Sequence, residues 1–213
     1  MSIEQFRKRI KQELLSKHAK FFAADKKVEN PIFQGIRYLA NGTAVVTNTH
    51  TLLRIKDVSP FTSPCTLHPI TGAELNGVYP DNAIDDLLNW TSENRITLET
   101  TKQIAGATQF AKIAQMIAKE LRSVKIVNLK LHGETASLEL KDQGVEFTAP
   151  FGSLAKDQDE TWFFDTDYMY NAFNLFKSAL TVSLTIKLRH KYDSIVLSDE
   201  ENGIDVLILP IYS

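Results

Sequence analysis

The side chains able to do covalent chemistry are scattered along this sequence. His18, His50, His68, His132 and His190 form no pair at metal-ligand spacing, and the single cysteine, Cys65, stands among prolines. Neither a Gly-x-x-x-x-Gly-Lys loop nor a Gly-x-Gly-x-x-Gly turn is present to cradle a phosphate. The acidic run Asp199-Glu200-Glu201-Asn202-Gly203 lacks the alternating ligands of a calcium loop and reads as a hairpin turn. Asp157, Asp159 and Glu160 read as a solvated loop. These residues predict no catalytic residue, no metal site and no cofactor, so the expectation is a protein that is not an enzyme.

The chemistry the spacing does support is the holding of anions. Lys112, Gln115, Lys119 and Arg122 recur at intervals of three and four, which puts them on one stripe of a helix. An earlier segment offers Arg7, Lys8, Lys11 and Lys20, and a later one Lys177 beside Asn171 and Asn174. Point charges spread thinly over helices attract phosphates without reading bases. The alternative for each stripe is an ordinary solvated helix face. The formal net charge is −2, so any attraction to nucleic acid must come from localised patches. A second kind of binding is suggested by the apolar tail, in which no charged residue follows Asp205.

Regular elements must carry these groups. Residues 2–22 have helical periodicity, with Ile3, Phe6, Ile10, Leu14 and Phe21 as the apolar side and Ser2 as N-cap. A meander follows over 33–40, 43–48 and 51–56, its first turn made by Asn41-Gly42. A short extended piece is expected at 65–68 and a short helix at 81–90, with Ile84, Leu87 and Leu88 inward and Asp85 and Asp86 outward. The pattern then restarts: a strand at 95–100, a long helix at 102–122, and strands at 125–131, 135–141 and 144–150. A polar loop over 152–160, a strand at 162–164, a helix capped by Asp165 or Thr166, and strands at 181–189, 194–198 and 204–211 complete the chain.

A basic helix followed by a hairpin meander therefore occurs twice, and Leu39-Ala40-Asn41-Gly42-Thr43 is echoed by Leu131-His132-Gly133-Glu134-Thr135. Short connections call for antiparallel sheets, and helices covering one face of them make the class α+β. With 213 residues there is room for two domains, placed at 1–94 and 95–213. Residues 1–20 lack an apolar core for a signal peptide, and no apolar run is long enough to span a bilayer, so the expected place is the cytoplasm, with no membrane partner.

Several segments resemble the DNA sliding clamps of the bacterial DNA polymerase III β-subunit type. Trp162-Phe163-Phe164-Asp165-Thr166-Asp167-Tyr168 resembles the strand-into-helix entry of that family's last domain. Ile204-Asp205-Val206-Leu207-Ile208-Leu209-Pro210-Ile211 resembles its closing strand, and Gly77-Val78-Tyr79-Pro80-Asp81 the segment leading into that domain. Residues 35–56 resemble the opening meander, whereas 58–76 have no counterpart and leave the first domain short. The resemblance implies the DNA-clamp fold in two clamp-like domains and a processivity factor that tethers a DNA polymerase or other replication protein to double-stranded DNA of any sequence. It also implies a homo-oligomer: six domains close a ring, hence a ring trimer here. A partner-peptide pocket would use Leu207, Leu209, Pro210, Ile211 and Tyr212. The short first domain points to a phage or mobile-element version. The competing expectation is a clamp-fold interaction module that never encircles DNA, either a clamp mimic or a sequestering protein.

Overall fold

A computed structural model describes residues 3–25, 28, 30–190 and 193–211. The chain divides into two compact units, Met1–Trp90 with Glu200–Leu207, and Thr91–Asp199 with Ile208–Ser213. A late strand segment thus belongs to the first unit, an exchange that a division by chain position cannot express. The strand pairings described within each unit are antiparallel, and the class is α+β.

In the first unit, helix α1 (Ile3–His18) runs into a 3-10 turn (Ala19–Phe21). A second 3-10 turn (Pro31–Gln34), N-capped by the Asn30 side chain, precedes strand β1 (Ile36–Tyr38). The expected strand at 33–40 is therefore only three residues long, because Pro31 and the Asn30 cap favour a helical turn ahead of it. Strands β2 (Ala44–Thr47), β3 (Thr51–Ile55) and β4 (Cys65–Leu67) follow, then helix α2 (Asp81–Leu88). With β10 (Ile204–Ile208) the order is β4-β1-β2-β3-β10. β3 and β10 are buried at every position, as strands covered on both faces should be.

Packing corrects two assigned faces. On α1 Leu14, Leu15 and His18 are buried, as is Ala19 in the turn that follows, while Phe6 and Ile10 are 51% and 38% exposed. The helix docks through its second half, so Phe6 and Ile10 stay open to solvent. On α2, Ile84 and Leu88 are buried but Leu87 is 46% exposed, because an eight-residue helix turns only a narrow edge to the sheet.

His18 is fully buried, and neither ring nitrogen has a hydrogen-bond partner among the described residues. Burial first, and then the charges of Lys17 and Lys20, lower its pKa from 6.5 to about 4. The unfolded chain therefore binds the extra proton between these values. The stability that His18 contributes is complete above about pH 6.5 and is lost as pH falls toward 4, a total of about 3 kcal/mol. Urea titrations at pH 7.0 and 4.5 should show this loss in the first unit, and His18→Leu should remove that share of it. An unchanged pH dependence in the variant would place the titrating group elsewhere.

In the second unit the order is β9-β8-β5-β7-β6. It is built from β5 (Arg95–Leu98), α3 (Thr101–Leu121), β6 (Ile126–Asp142), β7 (Val145–Asp165), α4 (Thr166–Ser178), β8 (Leu184–Lys187) and β9 (Ile195–Asp199). α3 starts on a capping box, with Thr100 and Gln103 satisfying each other's backbone N–H groups. Asp165 caps α4 by accepting from the N–H groups of Asp167 and Tyr168. Phe164, Phe173, Phe176, Ile96 and Ile104 are fully buried among the unit's core residues, each worth about 2–3 kcal/mol of burial.

Residues 152–160, expected as a loop, lie within β7, which pairs with β6 along nearly its whole length. The polar composition misled because one face of this ribbon is open to solvent. The ribbon also folds back on itself. Asn128 Nδ2 donates to Glu139 Oε2 at 3.5 Å, yet eleven residues of straight strand would span about 36 Å. The bend falls where the register slips between Gly133 and Thr135, and Gly133 takes φ +59°. Beside the bend, Gly152 lets β5 approach closely, since a Cβ there would stand 2.7 Å from Ile96 Cγ2 and 2.9 Å from Thr97 O.

Candidate nucleic-acid interface

α3 sets the geometry of the anion-binding stripe. Its buried side, Ile104, Ala107, Phe110, Ala111, Ala114 and Ala118, is small apart from Ile104 and Phe110. The opposite side exposes Lys102, Gln109, Lys112, Met116 and Lys119. Lys112 and Lys119 are two turns apart, about 10 Å along the axis and nearly in line. No acidic residue interrupts the stripe before Glu120. Such a surface offers separated point charges over smooth ground, with no rigid fork to grip a base edge.

The other expected contacts divide. Gln115 is half-buried and its amide donates to Asp167 Oδ1 at 2.7 Å, so it joins α3 to α4 and does not belong to the stripe. Lys125 reaches the other oxygen of Asp167 at 2.6 Å, and that hydrogen bond raises the Lys125 pKa. Arg122 is exposed and closes α3 in a left-handed conformation, with φ 53°. Lys177 is exposed in the last turn of α4, with Asn171 and Asn174 half-buried nearby.

In the first unit Arg7 is exposed. Lys8 donates to the Ser59 carbonyl at 3.3 Å. Lys11 donates to the Lys56 carbonyl at 3.1 Å and pairs with Asp57 at 3.5 Å, and only 15% of its side chain is exposed. Lys11 is thus a tether of α1 and not an outward charge. Lys20 lies 4.9 Å above the Phe21 ring.

The tail differs from the expected alternation. β10 ends at Ile208, and Leu207 and Ile208 are both buried, so no two-faced pattern runs on to Ile211. Leu209 is 38% exposed, Pro210 is buried, and the half-buried Ile211 donates its N–H to the Phe163 carbonyl at 2.7 Å. Tyr212 lies outside the described residues.

Sequence reasoning overlooked one polar cluster. Arg54, only 5% exposed on β3, donates to Asp205 Oδ2 at 2.9 Å, to Asp85 Oδ1 at 3.1 Å and to Asn89 Oδ1 at 2.9 Å. Arg37 on β1 grips Asp81 with two hydrogen bonds at 3.1 and 2.5 Å, and these raise the guanidinium pKa. Two arginines thereby hold the acidic helix α2 on the first unit. The signal was present: a lone charge in each apolar strand, of opposite sign, must find a partner on burial. Among the described residues no three His, Cys, Asp or Glu side chains cluster to hold a metal, and no helix is long and apolar enough to cross a membrane.

Neither a protein-family profile nor any curated protein matches this sequence. Solved structures do. The β subunit of DNA polymerase from Streptococcus pyogenes superposes with a TM-score of 0.76 at 17% identity, over 97% of this chain and 64% of its own. The DNA polymerase sliding clamp from Bacillus subtilis gives 0.74 at 15% identity, over 97% and 63%. The sliding clamp from Caulobacter crescentus gives 0.69 at 12% identity, over 97% and 64%. The chain has the fold of the bacterial DNA polymerase III β sliding clamps and spans slightly under two thirds of their length.

Proposed function

We propose that this protein is a sliding-clamp-like processivity factor, not an enzyme. In this reading it encircles duplex DNA without sequence preference and tethers a DNA polymerase or another replication protein. The observation that carries the reading is the acid-free row of lysines on α3 in a chain that follows the clamp fold over 97% of its length. The two compact units, taken as clamp-like domains, supply one third of a six-domain ring, so the assembly is a homotrimer built through head-to-tail contacts. Its place is the cytoplasm, and its shortened first domain fits a phage or mobile-element origin. Lys102, Lys112, Lys119, Arg122 and Lys177 attract the phosphates, and the tail from Leu207 to Ile211 engages the client.

Retention on nicked circular DNA tests this. The protein should stay on the circle through gel filtration, fall off when the circle is linearised, and be released by raised salt. Light scattering should give a particle of three chains. Equal retention on circular and linear DNA, or a lone chain at high concentration, removes the ring. A single chain with no DNA retention is the outcome expected of a clamp-fold module that only binds proteins, which the −2 net charge would suit.

A further inference from the structure

α1 and the strand beside it leave an open apolar slot in the first unit. The slot, about 280 Å³, is floored by the buried Leu15, Ile36 and Val58 and edged by Tyr38, Pro60 and Pro69. Its lining contains no charged side chain. Tyr38 is braced edge-on by Phe61, ring centroids 5.1 Å apart, so the aromatic wall is fixed in advance. Gln12 and Ser16 form the helix-side lip, and the same two residues border a shallow shelf that continues along α1 past Arg9, Glu13 and Lys17. Arg9 is partly neutralised by Glu13 at 3.1 Å, whereas Lys17 is exposed, with Lys20 one turn further on. Apolar slot and cationic shelf therefore share one lip.

We infer that this surface is a protein-docking site for a short acidic peptide carrying adjacent apolar side chains. The slot takes the apolar anchors, and the shelf takes the carboxylates that follow. Charge complementarity selects this occupant. A basic peptide would be repelled by Lys17 and Lys20, and a purely apolar one would leave the shelf unused. Duplex DNA has phosphates for the shelf but no aliphatic group to fill the slot. The site lies wholly within the first unit and does not depend on a ring closing around DNA.

The test uses the full chain and fluorescence anisotropy. The probe is a labelled octapeptide with leucine and phenylalanine in its first half and four glutamates in its second. Saturable binding is expected. It should weaken about tenfold in Lys17→Glu and fall further in Ser16→Trp, which places an indole across the lip. Replacing the peptide's apolar half with alanine should also abolish binding, a result that does not rely on any variant folding. Circular dichroism and urea midpoints check that both variants fold. The inference is overturned by no saturation up to millimolar peptide, by equal binding to both folded variants, or by an alanine peptide that binds as well. Displacement of the probe by a short duplex would reassign the shelf to nucleic acid and overturn it too. DNA retention by α3 should be unchanged in Ser16→Trp, which separates failure of this site from failure of the clamp reading.

Discussion

Asp205→Ala lowers the unfolding free energy by about 3 kcal/mol, measured by urea titration at pH 7, because it leaves a buried guanidinium without its buried partner. The low end of the usual 3–5 kcal/mol applies because Asp85 and Asn89 keep hold of Arg54. Arg54→Met is damaging as well, since it removes the cationic partner of the Asp205 side chain, which is 8% exposed in the ion pair. The double variant Arg54→Met, Asp205→Leu should be more stable than either single one. Two apolar side chains of similar size need no partner, and Asp85, 75% exposed, returns to water. A loss below about 1 kcal/mol in Asp205→Ala would mean that water reaches the guanidinium and that the pair is not a desolvated one.

The second large effect concerns binding. Lys112→Glu combined with Lys119→Glu should reduce retention on circular DNA at least about tenfold and lower the dependence of log K on log salt by about two. Both side chains are exposed, so the unfolding free energy should stay within about 0.5 kcal/mol of the parent. Gln115→Glu is the contrasting variant. It sets a carboxylate against Asp167 and should destabilise the α3–α4 contact more than it affects DNA. Retention unchanged in the double lysine variant would remove α3 from the proposed interface.

The sequence conveyed much of the layout. Asn41-Gly42 marked its turn, Asp165 marked the cap of α4, and the helical spacing of residues 102–122 put Lys112 and Lys119 on one exposed stripe of α3. These signals are local, and local geometry enforces them. What escaped notice depends on distant parts of the chain. Gln115 has the same helical offset as a free polar residue, and only the approach of α4 commits it to Asp167. Lys11 resembles its neighbours until the 56–57 segment arrives to accept its ammonium group. The polar run 152–160 imitated a loop because a ribbon wet on one side needs little apolar sequence to keep pairing. Phe6 and Ile10 satisfied the helical period, but periodicity cannot tell how far along a helix its support extends.

The strand contributed by residues 204–208 bears on how the chain is made. Ile204 leaves the ribosome long after Leu88, on the order of ten seconds later at ordinary elongation rates. Through that interval Arg54 has no Asp205, and β3 presents an open edge where β10 will lie. Strands β1, β2 and β3 must therefore wait for residues 204–208 before their sheet is complete. A stalled or prematurely terminated product would display a sticky, charged seam, which makes it a substrate for chaperones and proteases instead of a half-working protein.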